Sequence, residues 1–261
     1  MKRLFRIWLK LAKIAAQSQL LTSSSGMLFI IGKIVRFFFF FVFIYSVISG
    51  AGSLAGYNSF QVILFFLVFN IIDTVVQFLF RGVYVFRPLV ISGNYDLDLL
   101  KPLPSFFRPI FGWTDILDLI TLIPLMGFTV WYIFSHQLFS GLGSFLIFFL
   151  LIFNSILVGF SFHLIVCAIC VLTTEIDHLI WIYRDLTAMA RFPTDIYGKG
   201  IRVVLTFIVP VIVLITVPAK ALMGLLSPFW VLVSFIVGIL SVFVSFKFWS
   251  WSLKRYTSAS S

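Results

Sequence analysis

RGVYVFRPLVISGNYDLDLLKPLPSFFR, residues 81–108, decides the architecture. It carries four cations, Arg81, Arg87, Lys101 and Arg108, and two carboxylates, Asp96 and Asp98. It is the first long segment beyond residue 60 that cannot sit in hydrocarbon, and strongly apolar runs flank it on both sides. The stretch reads as a cytoplasmic loop between two membrane spans, and as the surface on which the chain meets a partner.

Composition supports that frame. Of 261 residues, 61% are hydrophobic and only 11% charged, against about 25% charged in soluble domains. That leaves too little polar surface to coat a globule. The 34 Phe include an unbroken run over residues 37–41, which lipid accommodates and water does not. The chain therefore reads as an all-α integral membrane protein. A net charge of +10 in a soluble protein would suggest a nucleic-acid partner. Here it fits the Lys and Arg that collect in the cytoplasmic loops of membrane proteins, and no nucleic acid is expected. The basic start leads into polar residues 17–25 rather than into an apolar run with a cleavage site, so no cleavable signal is expected.

Outward from residues 81–108, six spans are expected. They cover residues 34–54, 59–80, 112–134, 143–172, 201–217 and 229–250, with connecting loops at 81–111 and 173–200 and a tail at 251–261. The fifth is short for a bilayer and the fourth long enough to tilt or project. Eighteen of the nineteen Lys and Arg then fall on one side: residues 2, 3, 6, 10, 13, 33 and 36, then 81, 87, 101 and 108, then 184, 191, 199 and 202, and finally 247, 254 and 255. Only Lys220 falls on the other. That sorting puts both termini and both charged loops in the cytoplasm.

Before the first span, residues 2–16 form an amphipathic helix. Arg3, Arg6, Lys10 and Lys13 make one face, and Leu4, Trp8, Leu11 and Ala15 the opposite one. A basic face against a Trp/Leu face suits a helix lying in the membrane interface. It gives an N-terminal unit, residues 1–24, ending at a polar break over residues 22–26, ahead of a six-span unit, residues 25–261. The outer connection at 218–228, bracketed by Pro218 and Pro228, reads either as a re-entrant pair of short helices or as an ordinary loop.

Three constellations could carry chemistry. Asn70, Asp73 and Gln77 form a polar stripe on the second span. An intramembrane carboxylate costs roughly 2.5–3.5 kcal/mol, so Asp73 should face protein or water. Lys33 or Arg36 is its expected counter-ion, with a place in a substrate path as the other reading. Asp115 and Asp118 sit at the inner end of the third span, where a helix N-terminus favours carboxylates. His163, Cys167 and Cys170 share a face of the fourth span but lack an evident fourth metal ligand.

A phosphate loop is missing. Gly26 to Ile34 reads GMLFIIGKI, with the spacing wrong by one and no hydroxyl after the lysine. Energy must come from a gradient or from another polypeptide, which gives the polar loops a reason to bind one. Within residues 81–108, Gly93 and Asn94 make a turn, Asn94 can cap a short helix, and Pro102 and Pro104 end it. The resulting helix offers Tyr95, Leu97, Leu99 and Leu100 as apolar contacts and Asp96, Asp98 and Lys101 as charges.

Three pieces in register resemble the type-2 ABC exporter permeases, specifically the compact six-span group that accompanies daunorubicin-resistance-like ATPases. The first runs from Gly93, Asn94, Tyr95, Asp96 and Leu97 through Asp98, Leu99, Leu100 and Lys101 to Pro102. The second is RFPTDIY at 191–197, followed by LTFIVP at 205–210 and VPA at 217–219. The third is LKRYTSA at 253–259. The resemblance implies a permease subunit in a bacterial cytoplasmic (inner) membrane, pairing with a dimer of ABC-type ATPase subunits and with a second six-span permease, the same or similar. It implies no enzymatic activity and no directly bound cofactor, with ATP and Mg held by the partner ATPase. It also makes residues 93–102 a coupling helix and expects re-entrant helices before the last span. The reading from another class is a membrane scaffold or assembly factor without a transport path.

Overall fold

The computed structural model describes residues 2–21, 23–173 and 177–257. The described residues form helices α1 (Lys2–Leu21), α2 (Ser23–Ala51), α3 (Ser59–Phe80), α4 (Val83–Ile91), α5 (Asn94–Leu99), α6 (Phe107–Phe111), α7 (Ile116–Ser135), α8 (Leu142–Thr173), α9 (Asp177–Ala188), α10 (Lys199–Val203), α11 (Val217–Leu222) and α12 (Pro228–Leu253). Short 3-10 turns occupy Met189–Arg191 and Thr194–Ile196, and π-helical turns occupy Val204–Ile208 and Ile212–Thr216. Five helical stretches are long and apolar enough to cross a membrane. The protein is an all-α, multi-pass membrane protein.

Local sequence sets the helix starts. Asn58 opens α3 with a capping box: its side chain accepts from Gln61 N at 2.9 Å, and the Gln61 side chain accepts from Asn58 N at 3.1 Å. Asp115 caps α7 by accepting from Leu117 N, and Pro228 fills the first turn of α12, where its missing N–H is not needed. Helix α8 is the central post. Its most extensive interface is with α12, and inside it Asn154 Nδ2 donates to Ser234 O at 2.9 Å. Helix α3 packs between α7 and α8, and α2 lies outside it through Phe37 and Phe40 on Phe66.

The bundle has two distinguishable ends. The α2–α3 and α7–α8 connections lie at a charge-poor end. The ends of α3, α8 and α12 and the start of α7 lie at a basic end.

Several boundaries differ from the sequence reading. The first apolar span runs Gly26–Gly50 rather than 34–54, so Lys33, expected just ahead of the span, lies within it, and Arg36 lies deeper in it than expected. Residues 23–26 are helical instead of a polar break; Thr22 lies outside the described residues, as do residues 258–261 of the tail motif. The second apolar helix continues through Arg81 and Gly82 to Ile91, because VYVFRPLVI presents Val83, Phe86 and Val90 to the core. The polar loop is thus confined to residues after 91.

The largest difference concerns residues 173–228. Residues 177–196 are not a loop at the basic end. Starting beside the end of α8, α9 packs Tyr183 on Phe162 and His163. Those residues lie about ten positions, or ~15 Å, back along α8 from Thr173. Arg191 then stacks over Phe40 and Phe69, near the middle of α2 and α3. Asp195 finally meets the Tyr57 hydroxyl at the charge-poor end, 2.9 Å away. This segment crosses the bundle.

The apolar run assigned as the fifth span, 201–217, instead belongs to a bent pair, Lys199–Ile208 and Ile212–Leu222, which meet at 82°. Both arms reach Asp195: Arg202 at 3.8 Å and Lys220 at 2.8 Å. The pair therefore leaves and returns at the charge-poor end, with Pro210 at the bend. The second arm packs against α3, α8 and Met189–Arg191, below the level of Asp195. The bent backbone spans 199–222 and so overlaps the start of the 218–228 connection. Proline lacks the N–H that would continue the helix, and π-helical turns flank the break.

Candidate functional site

At the basic end, α4, α5 and α6 form a platform on the ends of α8 and α12. Gly82 fixes its root: its N–H donates to Ile110 O at 3.2 Å, and a Cβ there would stand 2.6 Å from Pro109 O. Only glycine lets α4 and α6 approach this closely. Gly93 makes the next turn with φ +71°, in the left-handed region where it carries no Cβ penalty, and it rather than Asn94 occupies the cap position of α5. Asn94 instead donates through Nδ2 to Ser92 Oγ at 2.8 Å.

Helix α5 has two unlike faces. Tyr95 points inward and is fully buried, against Phe86 at 4.9 Å and Tyr256 at 5.7 Å between ring centres. Its hydroxyl donates to Ser105 O at 3.2 Å, and Trp249 of α12 donates to Ser105 Oγ at 3.0 Å. Asp98 is also buried and accepts from Lys101 Nζ at 2.6 Å and from Arg108 Nε at 3.3 Å. Burial and the neighbouring Asp96 carboxylate raise the Tyr256 phenol to about 12, and burial raises Tyr95 as well, so both rings stay neutral. The outward face carries Leu97 at 59%, Leu99 at 38% and Leu100 at 82% exposure, followed by exposed Lys101 and Pro102. Tyr95 is thus an anchor and not, as its sequence position suggested, part of the surface. The leucines are the surface.

This arrangement is a leucine-tipped knob. Its inner side packs on α4, α6 and the end of α12 through Tyr95, Asp98 and Ser105.

The α3 stripe is not a single site. Asn70 Nδ2 donates to Phe66 O at 2.7 Å within its own helix. The Gln77 amide oxygen accepts from Tyr84 OH at 2.9 Å and from Arg81 at 3.5 Å. Asp73 is half-buried and has no ion-pair partner among the described residues. Of its two expected counter-ions, Lys33 is bonded to Asp118 instead, and Arg36 is exposed and forms no ion pair with Asp73 among the described residues. Arg81 completes that cluster, 3.2 Å from Asp115 and 3.8 Å from Asp118. Four helices, α2, α3, α7 and, through Gln19 on Thr114 O and Ile116 N, α1, are tied together there. The pairing escapes sequence reading because Lys33 and Asp118 are 85 residues apart.

A second unforeseen junction lies at the charge-poor end, where Asp195 gathers Tyr57, Lys220 and Arg202. Burial alone would push the Asp195 carboxyl up. The Lys220 ammonium and the Tyr57 hydroxyl outweigh that and hold it below the ordinary carboxylate value. His163 is buried with Nδ1 2.8 Å from Gly159 O. Cys167 and Cys170 are buried and not joined in a disulfide, and no cluster able to hold a metal occurs among the described residues. Gly26 and Lys33 lie in one continuous helix, which leaves no phosphate-cradling loop between them.

Compared with known proteins, residues 12–260 match the family model described as ABC-2 family transporter protein. No curated protein and no solved structure matches the chain.

Proposed function

Because the chain belongs to the ABC-2 transporter family, as a transmembrane component rather than the ATP-hydrolysing subunit, we propose that it is one permease half of an exporter driven through α5. An ABC ATPase is the partner that membership implies. A dimer of that ATPase, docked on the exposed Leu97, Leu99 and Leu100, would bind ATP and Mg itself. A second permease, the same or similar, would complete the pathway. The basic end faces the cytoplasm, and both termini with it, in a bacterial inner membrane. The remaining Lys and Arg at that end are still the large majority after Arg191, Lys199 and Arg202 are reassigned.

The observation that carries this reading is the two-faced α5, with a buried Tyr95/Asp98 side and an exposed leucine side. ATP-dependent motion shifts a permease only if the partner contacts α5 differently in its two states. A knob anchored to α12 and α4 converts such a difference into helix displacement. Asn70, Asp73 and Gln77 are read as structural, except that Asp73 remains half-buried and unpaired among the described residues, which suits a place beside the pathway.

Co-purification tests the docking. The ATPase should be recovered with tagged wild-type permease and lost with Leu97→Asp/Leu100→Asp, while the variant keeps its elution volume and helicity. Unchanged recovery with that variant sinks the proposed docking surface.

A further inference from the structure

The arms of the bent pair Lys199–Ile208 and Ile212–Leu222 line a cavity of 630 Å³ at the charge-poor end. Its walls carry three cations, Lys199, Arg202 and Lys220, against one carboxylate, Asp195. Asp195 stays ionised, held by Lys220 at 2.8 Å and by Tyr57. Lys220 is therefore largely neutralised, while Arg202 stands 3.8 Å away and Lys199 has no partner among the described residues. The cavity keeps a net excess of two positive charges beside a membrane, where unpaired charge is costly. Besides Thr194, Thr206, Thr216 and Ser227 the rest of the lining is apolar, and Val203, Phe207, Leu225 and Trp230 continue outward as exposed side chains. A cationic floor under an apolar, outward-facing rim matches a ligand with an anionic head and a hydrocarbon tail.

We propose that this cavity binds a phosphate group, held by Lys199 and Arg202. The apolar rim favours a phosphate carried on a lipid. Two cations on adjacent turns of one arm present several N–H donors to one oxyanion, and charge-assisted bonds of this kind are the stronger ones. Basic pockets between membrane helices are a recognised way to hold lipid head groups. Binding would also stabilise the bend, since the phosphate would neutralise the first arm while Lys220 of the second arm stays on Asp195. The inference requires only a membrane-embedded chain and stands whether or not α5 docks an ATPase.

The test uses the full-length protein in nanodiscs and the fluorescence of its tryptophans, of which Trp230 lines the cavity. Brominated phosphatidylglycerol should quench more than brominated phosphatidylcholine at equal mole fraction. Trp230→Phe should remove that excess. Lys199→Gln/Arg202→Gln should weaken the apparent affinity for the anionic lipid on the order of tenfold or more. Both side chains are partly exposed, so the double variant should fold, and Arg3→Gln/Arg6→Gln, on α1, serves as the control that leaves the Trp230-dependent part of the excess in place. Inorganic phosphate is added against chloride at equal ionic strength. If it abolishes the excess, a soluble phosphate compound is also a ligand of the site; if it does not, the lipid head group is the ligand. Equal quenching by the two lipids in the wild type, or an excess untouched by the double variant, overturns the proposal.

Discussion

Truncating Tyr95 to alanine should loosen α5 without unfolding the bundle. The ring is fully buried against Phe86 and Tyr256, and its hydroxyl donates to Ser105 O. Removing a buried aromatic side chain costs about 3–5 kcal/mol. At 1.4 kcal/mol per factor of ten, local opening of residues 93–101 becomes roughly 10²-fold to a few thousand-fold more frequent. Tyr95→Phe removes only the hydroxyl, worth about 1 kcal/mol, and should raise opening roughly fivefold. Leu100→Ala removes a side chain 82% exposed and should change opening within about 0.5 kcal/mol. Amide hydrogen exchange read by mass spectrometry on peptides covering residues 93–101, in nanodiscs, separates the three. Equal effects of Tyr95→Ala and Leu100→Ala, or unchanged protection in Tyr95→Ala, would refute the division of α5 into an anchored and a free face.

Other consequences follow from named contacts. Gly93→Ala places a side chain at φ +71° and should cost about 1–2 kcal/mol, visible as a lowered midpoint in thermal unfolding. Lys33→Met leaves the buried Asp118 with only Arg81, at 3.8 Å, and should destabilise by about 3–5 kcal/mol. Lys33→Met/Asp118→Asn should recover part of that loss, and strict additivity in the double-mutant cycle would show that the pair is not coupled. The Asp195 carboxyl lies below its ordinary value, so its stabilisation is complete above the unfolded carboxylate pKa of about 3.9 and fades as pH falls through the lower, folded value. The difference in thermal midpoint between wild type and Asp195→Asn should be flat from about pH 5 to 8 and shrink below about pH 4. A difference that instead grows on acidification contradicts the Tyr57–Asp195–Lys220 link.

Most of the bundle is legible in the sequence, for identifiable reasons. The spans at 59–80, 143–172 and 229–250 fall almost on α3, α8 and α12, because long apolar runs there end at a capping box, a glycine-bearing connection and a proline. The Gly93-to-Pro102 stretch forms its short helix because a left-handed glycine starts it and prolines stop it. The crossing by residues 177–196 is hidden by its own charges. Arg184, Asp185, Arg191 and Asp195 resemble a solvated loop, whereas in the fold Arg191 lies on two phenylalanines and Asp195 is paired. The converse error is the 201–217 run, apolar enough for a span but bent by 82° at Pro210. Hydropathy counts charges and ignores what neutralises them. Tyr95 was misplaced for a related reason: in a six-residue helix, periodicity does not say which face meets the core. The Lys33–Asp118 pair could not be read locally at all.

The central claim is that the exposed leucines of α5 touch the ATPase. A photo-crosslinking amino acid placed at Leu97 or Leu100 in the intact transporter, with Phe229 at the charge-poor end as control, measures this directly. Adducts with the ATPase from positions 97 and 100, and none from 229, are the expected result. No adduct from either leucine while the complex remains assembled, or adducts from 229, would contradict it.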